Sequence, residues 1–255
     1  MSMAVKQSFS WWCYAGHGVS DDDLMAEAKR IGYPAVDICP AEHFERAHKH
    51  GLAISSFPGH RLEKVGLNDL KAHDGIEKTI LENLEVAVKN HIPNLIVFSG
   101  ERGLGISDEE GIENCAVGLK RVAGAAEKAG ITLVMELLNS KVNHKDYMCD
   151  HTAWGVQVMQ AVNSPHVKLL YDIYHMQIME GDLIRTIQEN IQWLGHFHTG
   201  GVPGRQELDN AQEVQWDGVM RGIAATSFQG YVAHEFVPTR DPLTSLRQAV
   251  DLCDV

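Results

Sequence analysis

Short apolar runs alternate with helical patterns along the whole chain, and four of these runs end in an acidic residue or a histidine. These residues are Glu136, Asp172, His198 and Glu235, spaced 36, 26 and 37 residues apart. Each interval leaves room for a helix, as in a parallel sheet with crossover connections. In an α/β barrel, the C-terminal ends of the strands face one another across one mouth. The pattern therefore predicts that four ligand-type side chains meet at one end of a barrel.

The length and the alternation of elements favour one (β/α)₈ TIM barrel that spans residues 1–255 as a single domain. A chain of 255 residues allows about 32 residues for each of eight strand–helix units, which is a usual size for this fold. The expected strands are Lys6–Ser10, Ala35–Ile38, Leu52–Phe57, Asn94–Phe98, Ile131–Met135, Val167–Tyr171, Gly195–Phe197 and Tyr231–His234. A doubly wound open sheet is the structural alternative, but it gives no reason for four metal-type residues on consecutive strand ends.

Helix starts are marked by capping residues in several of the intervals. Ser20-Asp-Asp-Asp and Ser107-Asp-Glu-Glu match the capping box, and Asp241-Pro242 places proline where its missing N–H costs nothing. These signals predict helices that begin just after residues 20, 107 and 241.

The net charge of −12 disfavours polyanionic partners, so we expect neither nucleic-acid nor membrane binding. Five cysteines without a C-x-x-C pair are typical of reduced intracellular thiols. The first residues lack the hydrophobic core of a signal peptide, and no apolar run approaches the ~20 residues of a membrane span. The expected location is therefore the cytoplasm, the expected partner is a small molecule, and assembly into a homo-oligomer stays open.

Three carboxylates and one imidazole form a ligand set suited to one divalent cation, Mn²⁺, Mg²⁺ or Co²⁺. Zinc would be expected with more histidine or cysteine ligands. A lone acidic residue at a strand end is usually a capped or salt-bridged group. Four converging groups favour a metal site, because the carboxylates would repel one another without a cation. The predicted ligands are Glu136, Asp172, His198 and Glu235.

Two further residues, His175 and Arg205, join the predicted site by position, whereas His196 is weighed only as an alternative to His198. His196 and His198 point to the same side of a strand; we expect the ligand to be His198, nearer the C-terminal edge, and His196 to be a hydrogen-bonded core histidine. His175 follows Asp172 by three residues. Arg205 lies in the glycine-rich segment Thr199–Arg205, where a guanidinium could pair with a substrate carboxylate or remain a solvated loop cation.

Three motifs in the second half of the chain carry a family resemblance: Asp172-Ile-Tyr-His-Met-Gln, Met179-Glu-Gly-Asp and Val202-Pro-Gly-Arg. They resemble the sugar isomerase/epimerase barrel superfamily of xylose-isomerase-like proteins, especially its hydroxypyruvate isomerases. The resemblance is densest from Glu136 to Pro238. It implies that the four strand-end residues hold the metal and that Glu136 and Glu235 also act as catalytic acid and base. It further implies that His175 and Arg205 contact substrate oxygens.

The favoured function is metal-dependent isomerisation of a small α-hydroxycarbonyl compound through an enediolate, with hydroxypyruvate converted to tartronate semialdehyde. The alternative is a ketose 3-epimerase, because those relatives carry histidine at the position of His198, where hydroxypyruvate isomerases tend to carry glutamine. Weaker alternatives on the same barrel are an endonuclease-IV-like phosphodiesterase and a non-catalytic sugar-binding protein. The roles of His60, Glu101 and the Trp11-Trp12 pair stay open, with core packing favoured for the tryptophans.

Overall fold

In this computed structural model, residues 5–103 and 105–255 are described. Within them, nine strands form one parallel sheet that is wrapped into a nearly closed barrel. The strands are β1 (Lys6–Ser10), β2 (Ala35–Asp37), β3 (Ala53–Ile54), β4 (Phe57–Pro58), β5 (Asn94–Val97), β6 (Thr132–Glu136), β7 (Val167–Asp172), β8 (Leu194–Thr199) and β9 (Tyr231–His234). Their order around the barrel is β3-β2-β1-β9-β8-β7-β6-β5-β4. The predicted TIM barrel is thus confirmed.

The third predicted strand, Leu52–Phe57, is the one that the structure divides. Its first part, β3, pairs with β2, and its second part, β4, pairs with β5. Ser55 lies at the break, where its carbonyl accepts a hydrogen bond from the Asn94 side chain at 3.0 Å. The two free ends of the sheet are therefore consecutive pieces of chain, and a side-chain amide of β5 holds the residue between them.

Helices surround the barrel and bury its outer face. They are α1 (Trp11–Tyr14), α2 (Asp21–Arg30), α3 (Phe44–Lys49), α4 (His73–Asn90), α5 (Asp108–Ala129), α6 (Thr152–Val162), α7 (Ile173–Met179), α8 (Leu183–Asn190), α9 (Trp216–Ala224) and α10 (Pro242–Cys253). Short 3₁₀ helices lie at Ala41–His43, Leu70–Ala72 and Ile191–Trp193. Helix α5 packs beside both α4 and α6, and α10 packs beside α2 and α9. Within the described ranges, no helix combines the length and apolar character that crossing a membrane requires.

The predicted helix starts are found where the capping residues placed them. Ser107 forms a complete capping box with Glu110 at the start of α5, and the Asp241 side chain caps α10 with proline in its first turn. At α2, the Ser20 side chain accepts from the Asp23 backbone N–H. These bonds satisfy backbone donors that have no partner within the helix.

A buried glutamate fastens the loop that follows β8 to the last helix. The Glu207 carboxylate accepts hydrogen bonds from the Thr239 backbone at 2.8 Å, the Thr239 hydroxyl at 2.9 Å and the Ser245 hydroxyl at 2.9 Å. Although burial alone would raise the pKa of Glu207, these hydrogen bonds lower it to about 2. The anion is therefore the form that the fold stabilises, and it anchors the loop that carries Arg205.

Replacement of Glu207 by glutamine is expected to lower the free energy of unfolding by about 1–3 kcal/mol at pH 7, because charge-assisted hydrogen bonds are lost. Since the pKa is lower in the folded than in the unfolded chain, this contribution is complete above about pH 5. It declines as the pH falls from about 4.5 towards 2. Urea denaturation of both proteins between pH 7 and pH 4 measures it.

The exposed Glu63→Gln variant is the matched control and should show no comparable loss. A gap between Glu207→Gln and the native protein that stays constant as the pH falls would contradict the assigned role.

Candidate active site

The four predicted ligands lie together at the C-terminal end of the barrel. Glu136 and Asp172 are the last residues of β6 and β7, His198 is the penultimate residue of β8, and Glu235 directly follows β9. All four are buried: Asp172 and His198 are fully inaccessible, and Glu136 and Glu235 are 6% and 4% exposed. Neighbouring parallel strands place their ends side by side, so residues far apart in sequence converge here.

His198 is at the centre of the cluster. Its Nδ1 atom lies 2.6 Å from Glu235 Oε2, 3.2 Å from Glu136 Oε1 and 4.0 Å from Asp172 Oδ2. One potential ligand atom from each of the four residues lies within 4.8 Å of the other three. Ligands on opposite sides of an octahedral cation at about 2.1 Å are about 4.2 Å apart. The cluster therefore has the dimensions of a single cation site.

The donor atoms also fit a cation chemically. His198 Nδ1 is buried and makes no hydrogen bond among the described residues, although carboxylate oxygens surround it. A buried ring nitrogen without a hydrogen bond is costly unless another group takes its lone pair or its proton. Carboxylates and an imidazole are ligands that Mn²⁺, Mg²⁺ and Co²⁺ accept. The residues present thus suit a divalent ion, and their role as ligands stays a prediction.

The two carboxylates nearest Arg205 differ in pKa. Burial raises the pKa of Asp172 above its ordinary value, and the Glu235 charge adds to this effect against the opposing pull of Arg205. Burial would also raise the pKa of Glu235, but Arg205 and His198 outweigh it and lower that pKa. Glu235 is therefore held as the anion, whereas Asp172 is the carboxylate that takes up a proton more readily.

Arg205 extends from the loop after β8 across the cluster. Its Nη2 donates to Asp172 Oδ2 at 2.8 Å and forms a second, very short contact with Glu235 Oε2, while Nε donates to the Glu235 carbonyl at 3.0 Å. The guanidinium lies over the rings of Tyr174 at 5.2 Å and Trp12 at 5.8 Å. The structure thus shows an aromatic-flanked arginine at the site, with a side chain only 16% exposed, instead of a solvated loop cation.

His175 lies beside Arg205 at the start of α7, which the Asp172 carboxylate caps by accepting from the His175 backbone N–H. Burial lowers the pKa of the imidazole well below its ordinary value, and Arg205 lowers it further. The Asn139 backbone N–H donates to its Nδ1 at 3.0 Å. On the other side of the ring, Nε2 faces Arg205 Nη1 at 3.0 Å, and a guanidinium can only donate, so the ring presents both nitrogens to donors.

His196 lies one layer deeper than His198, as expected. It is fully buried, its ring is 5.2 Å from that of His198, and its Nε2 is 3.1 Å from an oxygen of Asp37. The expected hydrogen bond is wrong, since neither ring nitrogen makes one with good geometry in the part of the chain that is described.

Sequence reasoning missed two residues that touch the cluster. Trp12, 47% exposed, donates from Nε1 to Glu235 Oε1 at 2.7 Å, whereas its neighbour Trp11 is a core residue. Asp37 contacts His198 Nε2 at 3.0 Å from the end of β2. The same signal that identified the four ligands, an acidic residue that ends an apolar strand, would have found Asp37. No sequence signal separates Trp12 from Trp11.

The other open residues lie away from the cluster. His60 is buried against Phe98, and its Nε2 accepts from the Phe98 backbone N–H at 2.9 Å. Glu101 is half-buried, and its backbone N–H donates to the carbonyl of Lys64 at 2.8 Å. Both contacts support the loops around the mouth.

The fold and the cluster define a class of protein: an α/β barrel with a buried cluster of carboxylates and a histidine, suited to a cation, at its C-terminal mouth. More particularly, residues 25–254 match the model of the xylose isomerase-like TIM barrel family, and the chain belongs to that family.

Two relatives illustrate the similarity in sequence. The chain is 26% identical over 238 residues to a protein of Escherichia coli K12 named hydroxypyruvate isomerase, with 87% of this chain and 89% of that protein covered. It is 29% identical over 138 residues to a putative hydroxypyruvate isomerase of Danio rerio, and this match spans half of each chain.

The solved structures confirm the fold. A family 2 AP endonuclease from Brucella melitensis superposes with a TM-score of 0.85 over 96% of this chain and 98% of that one, at 21% identity. At this level of identity the likeness establishes the barrel and its topology.

Replacement of Asp172 by asparagine is expected to weaken the binding of Mn²⁺ or Co²⁺ about 10-fold to 100-fold, because it removes one charged donor from the four predicted ligands. Isothermal titration calorimetry on metal-free protein measures the affinity and should give one ion per chain for the native protein.

Asp150→Asn is the matched control, since Asp150 is also a buried carboxylate paired with an arginine, Arg102, but lies outside the cluster. Equal affinities for Asp172→Asn and the native protein would rule out Asp172 as a ligand.

Proposed function

We propose that this protein is a divalent-metal-dependent isomerase that converts a small α-hydroxycarbonyl acid, most specifically hydroxypyruvate, to its aldehyde isomer, tartronate semialdehyde. The proposal rests on two glutamates that the ends of different strands bring to one atom. Glu136 Oε1 lies 3.2 Å from His198 Nδ1, and Glu235 Oε2 lies 2.6 Å from it. Two bases beside one candidate cation site suit the removal of a proton from one carbon and its return to the next. The names of the relatives support the same reaction class.

In this reaction one glutamate takes a proton from the hydroxymethyl carbon of hydroxypyruvate, and the same or the opposite glutamate delivers a proton to the former carbonyl carbon. The hydroxyl proton moves to the oxygen of that carbon, so no oxidant or co-reactant is required. A bound divalent cation would supply the positive charge that acidifies the C–H group and stabilises the enediolate. Close placement of the base offsets the low basicity of a carboxylate held near positive charges.

Glu235 is prepared to act as a base by its fixed contacts. Trp12 Nε1 holds Oε1 at 2.7 Å, and Arg205 holds Oε2. Both donors stabilise the anion, and the lowered pKa keeps it ionised at neutral pH. The carboxylate is thus oriented before a substrate arrives.

Arg205 and His175 suit the carboxylate and carbonyl oxygens of the substrate. The guanidinium is oriented by the two aromatic rings and offers donors in a fork that matches a carboxylate. His175 lies beside it, with Nε2 3.0 Å from Arg205 Nη1, and its proposed contact with a substrate oxygen rests on the family resemblance. A free ketose has no carboxylate for this arginine to pair with, which favours an oxo acid.

Glu235→Gln is expected to lower kcat by about 10²-fold to 10⁴-fold at saturating metal, since general-base catalysis is lost. Proton NMR in D₂O follows both product formation and the exchange of carbon-bound protons in hydroxypyruvate.

Glu101→Gln, which alters a half-buried glutamate outside the cluster, should retain the native rate. Native turnover by Glu235→Gln, or native protein that exchanges no carbon-bound proton of hydroxypyruvate or of any ketose, would sink the proposal.

Arg205→Lys is expected to raise KM for hydroxypyruvate by about 10-fold or more, because lysine keeps the charge but loses the bidentate geometry. The control compares two substrates: where the native protein turns over a C4–C6 ketose, that turnover should change much less in the variant. An equal loss for acid and ketose would argue against a carboxylate-binding role.

The second candidate is a ketose 3-epimerase, and the residue that favours it is His198. In the family resemblance, ketose 3-epimerases carry a histidine at this strand end. The two glutamates would then exchange a proton on opposite faces of C3. Parallel assays of D-fructose, D-tagatose and hydroxypyruvate with the metal-loaded protein separate the two functions.

A further inference from the structure

A fourth buried carboxylate contacts the cluster from the opposite side of His198. Asp37 ends β2, is fully inaccessible and lies 161 positions before His198 in the sequence. The barrel brings the two together because their side chains both point into its interior. Neither the family's motifs nor the four predicted ligands include this residue.

The two oxygens of Asp37 have different partners. Oδ2 lies 3.0 Å from His198 Nε2 and 3.5 Å from the Ser10 hydroxyl. Oδ1 accepts a short hydrogen bond of 2.5 Å from the Ser55 hydroxyl and lies 3.1 Å from His196 Nε2. The carboxylate is therefore fixed by β1, the β3–β4 break and β8 at once.

A carboxylate anion only accepts hydrogen bonds, so the group on His198 Nε2 has to be an N–H. With a cation at the site, the ring is neutral and this is its one N–H, so Nδ1 offers its lone pair to the cation. That nitrogen is the one that faces Glu136 and Glu235. The contact with Asp37 therefore selects the form of His198 that can bind a cation at Nδ1.

We propose that Asp37 is a positioning residue: it fixes the tautomer and the ring orientation of His198 and so prepares Nδ1 as a metal ligand. This inference rests on the metal site of the proposed function. Such carboxylate–histidine pairs behind a metal also make the ligand more basic, and their loss typically weakens metal binding 10-fold to 100-fold.

The variant that tests the role is Asp37→Asn, which preserves volume but removes the charge and can present an N–H to Nε2. It is expected to bind Mn²⁺ 10-fold to 100-fold more weakly than the native protein in isothermal titration calorimetry. The matched control is Ser55→Ala, which removes the partner of the other carboxylate oxygen and should bind Mn²⁺ within about threefold of the native protein. Circular dichroism establishes that each variant is folded.

A second measurement uses the native protein and does not depend on the variant. In ¹⁵N-histidine-labelled protein loaded with Zn²⁺ as a diamagnetic probe, long-range ¹H–¹⁵N correlation should show His198 protonated at Nε2 and metal-bound at Nδ1. Zinc bound at Nε2, or native affinity in folded Asp37→Asn, would overturn the inference while the metal site itself survives.

Two further results overturn it in other ways. Binding of two ions per chain, with one lost in Asp37→Asn, would show that Asp37, His196 and His198 form a second metal site. Failure of the native protein to bind Mn²⁺ or Zn²⁺ would remove this inference together with the metal-dependent function.

Discussion

The structure depends on balancing negative charge that is buried at one end of the barrel. Glu136, Asp172 and Glu235 lie around a single imidazole, and Asp37 lies behind it. Burying ionised carboxylates costs several kcal/mol each unless positive charge or hydrogen bonds compensate. Here compensation comes from Arg205 and from His198: burial by itself would lower the pKa of His198, but the surrounding carboxylates raise it well above its ordinary value. The same demand for positive charge suits the cluster to a cation, which would take the place of the proton on His198 Nδ1.

The groups of the cluster come from two kinds of element: the ends of strands, and the segments that follow strands. Strand ends deliver the four predicted ligands and Asp37, whose positions are fixed by the sheet. The loop after β8 delivers Arg205, and the short helix α1 delivers Trp12. Each is tied to its surroundings: Glu207 anchors the loop to α10, and Glu235 accepts a hydrogen bond from Trp12. Arg205 itself adopts the left-handed backbone conformation, with a φ of 55°. A residue other than glycine adopts this conformation at a cost, which its several side-chain contacts offset.

Much of this arrangement follows from the sequence because strand periodicity and strand ends are local signals. The barrel, the helix caps at Ser107 and Asp241, and the convergence of Glu136, Asp172, His198 and Glu235 could all be predicted from it. The break after Ile54 could not, because it reflects pairing of β3 with β2 and of β4 with β5, and its Ser55 is held by the Asn94 amide 39 positions further along the chain. The Asp37–His198 contact is likewise a product of barrel closure, which sequence spacing does not encode. Trp12 differs from Trp11 only by the direction that a short helix gives it.

One consequence concerns how proteins with this architecture can diversify. The groups suited to hold a cation lie at the ends of the barrel strands. Arg205, the group best suited to bind the substrate, lies on a loop that a few hydrogen bonds hold in place. Exchange of that loop would alter which molecule is recognised while the ion chemistry beneath it is preserved. Evolution or laboratory recombination can therefore change substrate selectivity and reactivity separately in this scaffold.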